Sequence, residues 1–161
     1  MAQSLRVGLV GGLGPESTMD YYRRIFDRWK QRHSSGAPAV VVDSLDVDHA
    51  LSLVATDRPR LVEYLADSVA RLERAGADFA AITANTPHIV FDELQERSPI
   101  PLVSIVLTCC NVAQLRGLGR LALLGTRFTM EAAFYPAAFA SKGMAIVIPE
   151  ATERAWLHER T

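Results

Sequence analysis

Apolar runs of strand length alternate with segments of helical period along almost the whole chain, and this alternation restricts the fold more than any other feature. A strand that is apolar throughout has to be covered on both faces. The arrangement that does so with short connections is a parallel sheet with crossover helices on both sides, an α/β fold. Strands are expected at residues 5–11, 39–43, 78–84, 102–106, 120–124 and 144–148. The first helix carries Met19, Tyr22, Phe26 and Trp29 at helical spacing, with Ser17 and Asp20 placed as a capping box. The second opens near Asp57–Pro59, shows Leu61, Leu65, Val69 and Leu72 as one stripe, and stops at Gly76. A third opens at Asn85-Thr86-Pro87-His88, with Thr86 as cap, and closes at Ser98-Pro99-Ile100-Pro101. A fourth begins at Thr108, and two more are expected over residues 129–142 and 151–160. Residues 44–55, with Asp46, Asp48 and His49, read as an acidic connection whose pattern assigns it to no regular element.

The pattern restarts after Gly117-Leu118-Gly119, dividing the chain into a first α/β lobe, residues 1–117, and a similar second lobe, residues 118–161. Two strands and the start of a helix leave apolar faces and a sheet edge uncovered, so the second lobe is expected to be incomplete, with a partner chain or further sequence supplying the rest. Phe134, Tyr135, Phe139, Met144, Ile146 and Ile148 belong to it. Uncovered apolar surface marks association, so a homo-oligomer is expected, through this segment or the Tyr22–Trp29 face of the first helix.

The charge balance narrows the partners. Seventeen basic and eighteen acidic side chains leave a formal net charge of -1, and no basic cluster exceeds the pair Arg23-Arg24. Neither nucleic acid nor an anionic membrane finds an electrostatic footprint, and a small molecule is the expected partner. No apolar run approaches the roughly 18 residues of a membrane span, and the N-terminus lacks the pattern of a secretory leader, which gives a cytoplasmic expectation. The two cysteines, Cys109 and Cys110, are adjacent. They frame no disulfide scaffold and have no metal-ligand spacing, and nothing cationic flanks them to lower a thiol pKa, so both read as inert core thiols.

Three helix N-termini are expected at the carboxyl ends of the strands: residues 12–18, 85–88 and 125–129. In open α/β sheets ligands bind at that edge, and first-turn amides with the positive end of the helix dipole favour carboxylate or phosphate. The candidates for an anion cradle are Gly12, Leu13, Ser17, Thr18, Asn85, Thr86, His88, Thr126 and Thr129. Helix capping alone accounts equally for any one group of these Ser, Thr and Asn residues. His88 could serve as an acid or base, or as a structural group.

Gly12-Leu13-Gly14-Pro15-Glu16-Ser17 half-matches a dinucleotide fingerprint, with Asp43 where a ribose-binding acid would stand. Ser17 replaces the third glycine, Pro15 removes an N–H and Glu16 puts a carboxylate where pyrophosphate charge would lie. A nicotinamide or flavin cofactor is therefore not expected.

Taken together, the segment Gly-Leu-Val-Gly-Gly-Leu-Gly-Pro-Glu-Ser-Thr from Gly8 to Thr18, Gly76-Ala77-Asp78 leading into Asn85-Thr86-Pro87-His88, and Leu123-Leu124-Gly125-Thr126-Arg127-Phe128-Thr129-Met130 resemble the aspartate/glutamate racemase superfamily. The resemblance covers essentially the whole chain. It implies two pseudo-symmetric α/β lobes, no cofactor, an acidic amino acid or related carboxylate as ligand, and a thiol from each lobe flanking the substrate α-carbon. One thiol removes the α-proton and the other delivers a proton to the opposite face.

Two departures follow. The family's first thiol immediately precedes the Asn-Thr segment, and here that position is Ala84, whose methyl group cannot take a proton. Thr83, one residue earlier, is expected to face the other way. The second thiol lies in a segment beyond Thr161, and Cys109 and Cys110 match neither motif. The expectation is a racemase of acidic amino acids with impaired chemistry in this chain. The alternative is a catalytically silent carboxylate-binding or assembly protein.

Overall fold

The computed structural model describes residues 5–160; residues 1–4, read above as carrying no leader, and residue 161 lie outside the described residues. The chain forms two compact units, Met1–Ser104 and Ile105–Thr161.

In the first unit the strands β1 (Arg6–Gly11), β2 (Ala39–Ser44), β3 (Phe79–Ile82) and β4 (Leu102–Val103) form one parallel sheet in the order β2-β1-β3-β4. The connections are α1 (Pro15–Arg32), α2 (Val47–Thr56), α3 (Arg58–Arg74), a 3₁₀ turn (Thr86–Val90) and α4 (Phe91–Arg97). The predicted stripe on α3 is its buried face: Leu61, Leu65 and Val69 are fully buried and Leu72 nearly so. They pack with Val10, Ile82, Val90 and Leu94 in one core. At about 1.5–3 kcal/mol for each fully buried aliphatic side chain, this face is what fixes α3 on the sheet. Asp57 caps α3, its carboxylate accepting from the Arg60 amide at 3.1 Å, with Pro59 in the first turn.

Several boundaries differ from the sequence expectation, each for a local reason. The acidic connection contains α2, because the Asp46 carboxylate accepts from the His49 amide at 3.1 Å and so starts a helix. Only Ala50 and Leu53 of that helix are buried, too few for a readable stripe. Helix α1 begins at Pro15 rather than at a capping box on Ser17, whose hydroxyl is used elsewhere. Of its 18 residues only Thr18 is buried, while Met19 and Tyr22 are exposed. β4 is two residues long and the chain is helical again from Ile105, ahead of the expected Thr108.

The second unit comprises α5 (Ile105–Leu115), β5 (Arg120–Ala122), α6 (Arg127–Glu131), α7 (Phe134–Ala140), β6 (Ala145–Val147) and α8 (Ala151–His158). β5 and β6 pair in parallel, Leu121 opposite Ile146. The single helix expected over residues 129–142 is two helices, broken at Ala132, whose backbone is extended at φ -74° and ψ 148°. Pro136 explains the break: its ring collides with a helical carbonyl four residues back, which is that of Ala132. Tyr135, Phe139 and Met144, expected to lie uncovered, are buried against Val106, Cys110 and Ala113 of α5. That packing assigns α5 to the second unit, whereas the sequence pattern sets the limit after residue 117. Among the described residues no helix is long and apolar enough to cross a membrane.

Candidate functional site

β1 ends in two glycines that the local geometry requires. A β-carbon on Gly11 would stand 2.6 Å from the Thr18 methyl, and Gly12 has φ +80°, with a β-carbon position 2.3 Å from the Leu45 carbonyl oxygen. The left-handed backbone at Gly12 turns the chain into Leu13-Gly14-Pro15 and the first turn of α1. First-turn amides of a helix have no intrahelical acceptor, and Pro15 contributes none, so the amides around Glu16 and Ser17 form the donor end of α1. Leu13 packs its side chain against the core and takes part in a cradle only through its backbone.

Ser17 and Thr18 hold this loop against the end of β3. The Ser17 hydroxyl lies 2.7 Å from the Thr83 carbonyl oxygen and 2.9 Å from that of Gly14. The Thr18 hydroxyl accepts from the Gly12 amide at 3.1 Å, lies 3.1 Å from the Gly14 carbonyl oxygen and 2.9 Å from the Thr83 hydroxyl. Thr18 is 8 % exposed and Thr83 1 %. The sequence offers Thr18 as a cradle residue and gives Thr83 only as expected to face the other way from Ala84. The structure brings them together as buried partners. The available signal is a hydroxyl residue in the first turn of α1 and another just past β3, which the sequence does not separate from ordinary capping residues.

After Thr83 the chain leaves the sheet and Ala84, half-buried, presents a methyl group at the start of the 3₁₀ turn. Asn85 and Thr86 are half-buried, and Asn85 rather than Thr86 flanks the turn, in helical backbone and without a side-chain cap. His88 is buried, its ring stacked nearly parallel on Phe91, with Nδ1 3.0 Å from the Ala84 carbonyl oxygen. A carbonyl only accepts, so Nδ1 carries the proton. Burial, against the opposing effect of the Ala84 and Asn85 carbonyls, pushes the imidazole below its ordinary pKa. A neutral ring that orients the Ala84 peptide is the outcome.

In the second unit Thr126 caps α6: its hydroxyl accepts from the Thr129 amide at 3.3 Å and lies 3.0 Å from the Thr129 hydroxyl. Thr129 is buried. The structure thus gathers Gly12, Ser17, Thr18 and Thr83 in one unit and pairs Thr126 with Thr129 in the other.

Asp43 does not stand free for a ribose. Its carboxylate binds Arg71 at 2.8 Å and the Ser68 hydroxyl, and these outweigh partial burial to hold it below the usual carboxylate range. Cys110 is buried as expected, whereas Cys109 is exposed, a correction to its reading as a core thiol. Although the residue is exposed, the surrounding protein partly desolvates its sulfur, and this, followed by the neighbouring Cys110, pushes the Cys109 thiol up, away from thiolate chemistry. Among the described residues no group of three His, Cys, Asp or Glu is placed to hold a metal ion. Two shallow grooves, one beside Leu124 and Trp156 and one along Tyr21, Ile25 and Trp29 of α1, contain none of the candidate residues.

The model of the Asp/Glu/Hydantoin racemase family matches residues 10–160. The chain belongs to that family. A crystal structure of an aspartate racemase homologue from Pyrococcus horikoshii OT3 superposes with a TM-score of 0.86 at 32% identity, over 96% of this chain and 68% of that one. A putative Asp/Glu racemase from Yersinia pestis gives 0.89 at 29% identity, over 96% and 69%. Among curated proteins, the broad specificity amino-acid racemase RacX of Bacillus subtilis (strain 168) is 24% identical over 153 residues, which take in 88% of this chain and 63% of RacX. The chain therefore spans less than two thirds of that relative's length. These matches establish the racemase fold and family for the parallel α/β architecture. Ala84 stands immediately ahead of Asn85-Thr86-Pro87-His88 within the matched residues.

Proposed function

We propose that this racemase-family chain binds an acidic amino acid or a related carboxylate at the donor ends of β1–α1 and β3, within an enzyme of cofactor-independent proton transfer at the α-carbon. The ligand carboxylate would be held by backbone amides and by the Asn85-Thr86 segment, where fixed dipoles stabilise charge developing toward the carboxylate. The observation that carries the reading is the required left-handed Gly12 leading into a helix start that is pinned to the end of β3. Two-sided racemisation needs one acid–base group on each face of the α-carbon, within about 3 Å of the proton it exchanges. Ala84 supplies none on its side, so the chemistry is impaired in this chain. The same methyl group favours the second reading, a catalytically silent carboxylate-binding protein.

A cytoplasmic location and self-association belong to the same proposal. The support for association is the exposed Met19 and Tyr22 on α1 and the exposed Ile148 of the second unit, whereas Tyr135, Phe139 and Met144 are buried in that unit's own core.

Proton NMR in deuterium oxide tests the reading: L- and D-aspartate and glutamate are incubated with the protein while the α-proton signal and the protein's amide shifts are followed. Binding without α-proton loss supports an impaired site, and α-proton exchange at an appreciable rate overturns the impairment. Failure of all four amino acids to move any amide of the Gly12 loop overturns the carboxylate cradle.

A further inference from the structure

The buried Thr18–Thr83 hydroxyl pair joins the two segments proposed to bind a carboxylate, and it does so one residue before Ala84. Resting on the carboxylate reading above, we propose that Thr83 is a positioning residue. Coupled to Thr18, it fixes the Gly12–Gly14 loop relative to the Ala84–Thr86 segment, so that amides from both strand ends are already in place when a carboxylate arrives.

The hydrogen bonds define the device. The Gly12 amide donates to the Thr18 hydroxyl, which spends that donor inside the protein and leaves the cradle to the amides that follow. Two hydroxyl protons then serve three contacts: Thr18 with Thr83 at 2.9 Å, Thr18 with the Gly14 carbonyl at 3.1 Å, and Thr83 with the Val10 carbonyl at 3.2 Å. In one arrangement Thr18 donates to Thr83 and Thr83 to Val10. In the other Thr83 donates to Thr18 and Thr18 to Gly14. Both join β1, the loop and β3, and hydroxyl rotors pass between them without moving a heavy atom. The Thr83 amide also donates to the Val10 carbonyl at 3.0 Å and the Ser17 hydroxyl reaches the Thr83 carbonyl, so Thr83 is tied through three of its polar atoms.

Replacing Thr83 by valine exchanges the hydroxyl for a methyl group of similar size and keeps the branched side chain. Thr18 can still donate to Gly14 and Val10 still accepts the residue 83 amide, so no buried group is orphaned and the fold is retained. Thr83→Ala removes the hydroxyl and the γ-methyl together, places no methyl against Thr18, and serves as the second variant. Thr83→Ser restores the bond.

Two measurements on the 161-residue protein separate this proposal from the reading beneath it. In the ligand-free protein, amide hydrogen exchange at Gly12, whose N–H donates to Thr18, should quicken about fivefold in Thr83→Val and Thr83→Ala, the loss of one neutral hydrogen bond, and return in Thr83→Ser. With L-aspartate as the probe, the dissociation constant read from amide shifts should rise about fivefold or more in the valine and alanine variants and recover in serine. Unchanged exchange, or unchanged aspartate affinity in all variants, overturns the positioning role. If the unaltered protein does not respond to aspartate at all, the carboxylate reading fails, and the exchange data alone decide whether the hydroxyl pair holds the loop.

Discussion

Gly12 and Leu45 approach so closely that a β-carbon on the glycine would stand 2.3 Å from the Leu45 carbonyl oxygen and 2.6 Å from its amide nitrogen. The Leu45 amide in turn donates to the Gly11 carbonyl at 2.9 Å, so the ends of β1 and β2 are sewn together at the point where the chain turns toward α1. Gly12→Ala therefore meets both a backbone clash and a left-handed conformation. The expected loss is about 2 kcal/mol or more of unfolding free energy, read as a lower urea midpoint with an unchanged slope. A midpoint equal to that of the parent would show that the loop can relax.

Ala84→Cys in the 161-residue polypeptide should leave aspartate and glutamate unracemised. On the proposed reading it places an ionisable group on one face of the α-carbon only, and Cys109 and Cys110 are not adjacent to the Asn85-Thr86 segment in sequence. Chiral chromatography after prolonged incubation checks this, and robust racemisation by the single variant would overturn the assignment of Ala84.

His88 gives the fold an acid-side weakness. Its native pKa lies below the ordinary value of 6.5, so as pH falls through about 6.5 the unfolded chain takes up a proton first. Stability is full above that range and is lost on going down toward the native pKa. Thermal midpoints recorded from about pH 7.5 to 5 should fall, and His88→Gln should flatten the fall whatever it does to the neutral value.

Asp43 adds a second loss of stability on acidification, at lower pH than His88. Its lowered pKa means that the Arg71 pairing contributes above the ordinary value of 3.8 and is lost as pH drops through the native value. Arg71 is 43% exposed, so Asp43→Asn should cost no more than about 1 kcal/mol at neutral pH. The difference from the parent should vanish in strongly acidic solution.

Self-association through α1 predicts a dimer or larger species by light scattering at micromolar concentration, dispersed by Met19→Glu with Tyr22→Glu. Both side chains are exposed, so the substitutions leave the core intact. A monomeric parent would remove the proposal.

The α/β alternation was legible because it rests on burial, and burial leaves a period in the sequence. Leu61, Leu65, Val69 and Leu72 were readable for that reason, as was the chain turning at Gly12. Asp46 was not, because an acidic residue at a helix start looks the same in sequence as one in a loop until its carboxylate is seen accepting from His49. Pro136 is visible in the sequence, but a proline within an apolar segment is compatible with the first turn of a helix as well as with a break, and only the extended backbone at Ala132 decides between them. Thr83 was discounted by strand alternation, which correctly separates it from Ala84 in burial but says nothing of a hydrogen bond to Thr18, 65 positions away in sequence.

Helix α1 is anchored at one end only. Thr18 is its sole buried side chain, so the first turn shares the stability of the sheet while the turns beyond it have little tertiary packing to protect them. The two ends of a single helix then live on different clocks. Opening the C-terminal turns is expected to cost less free energy than opening the Gly12 loop, a gradient that amide exchange along α1 would read.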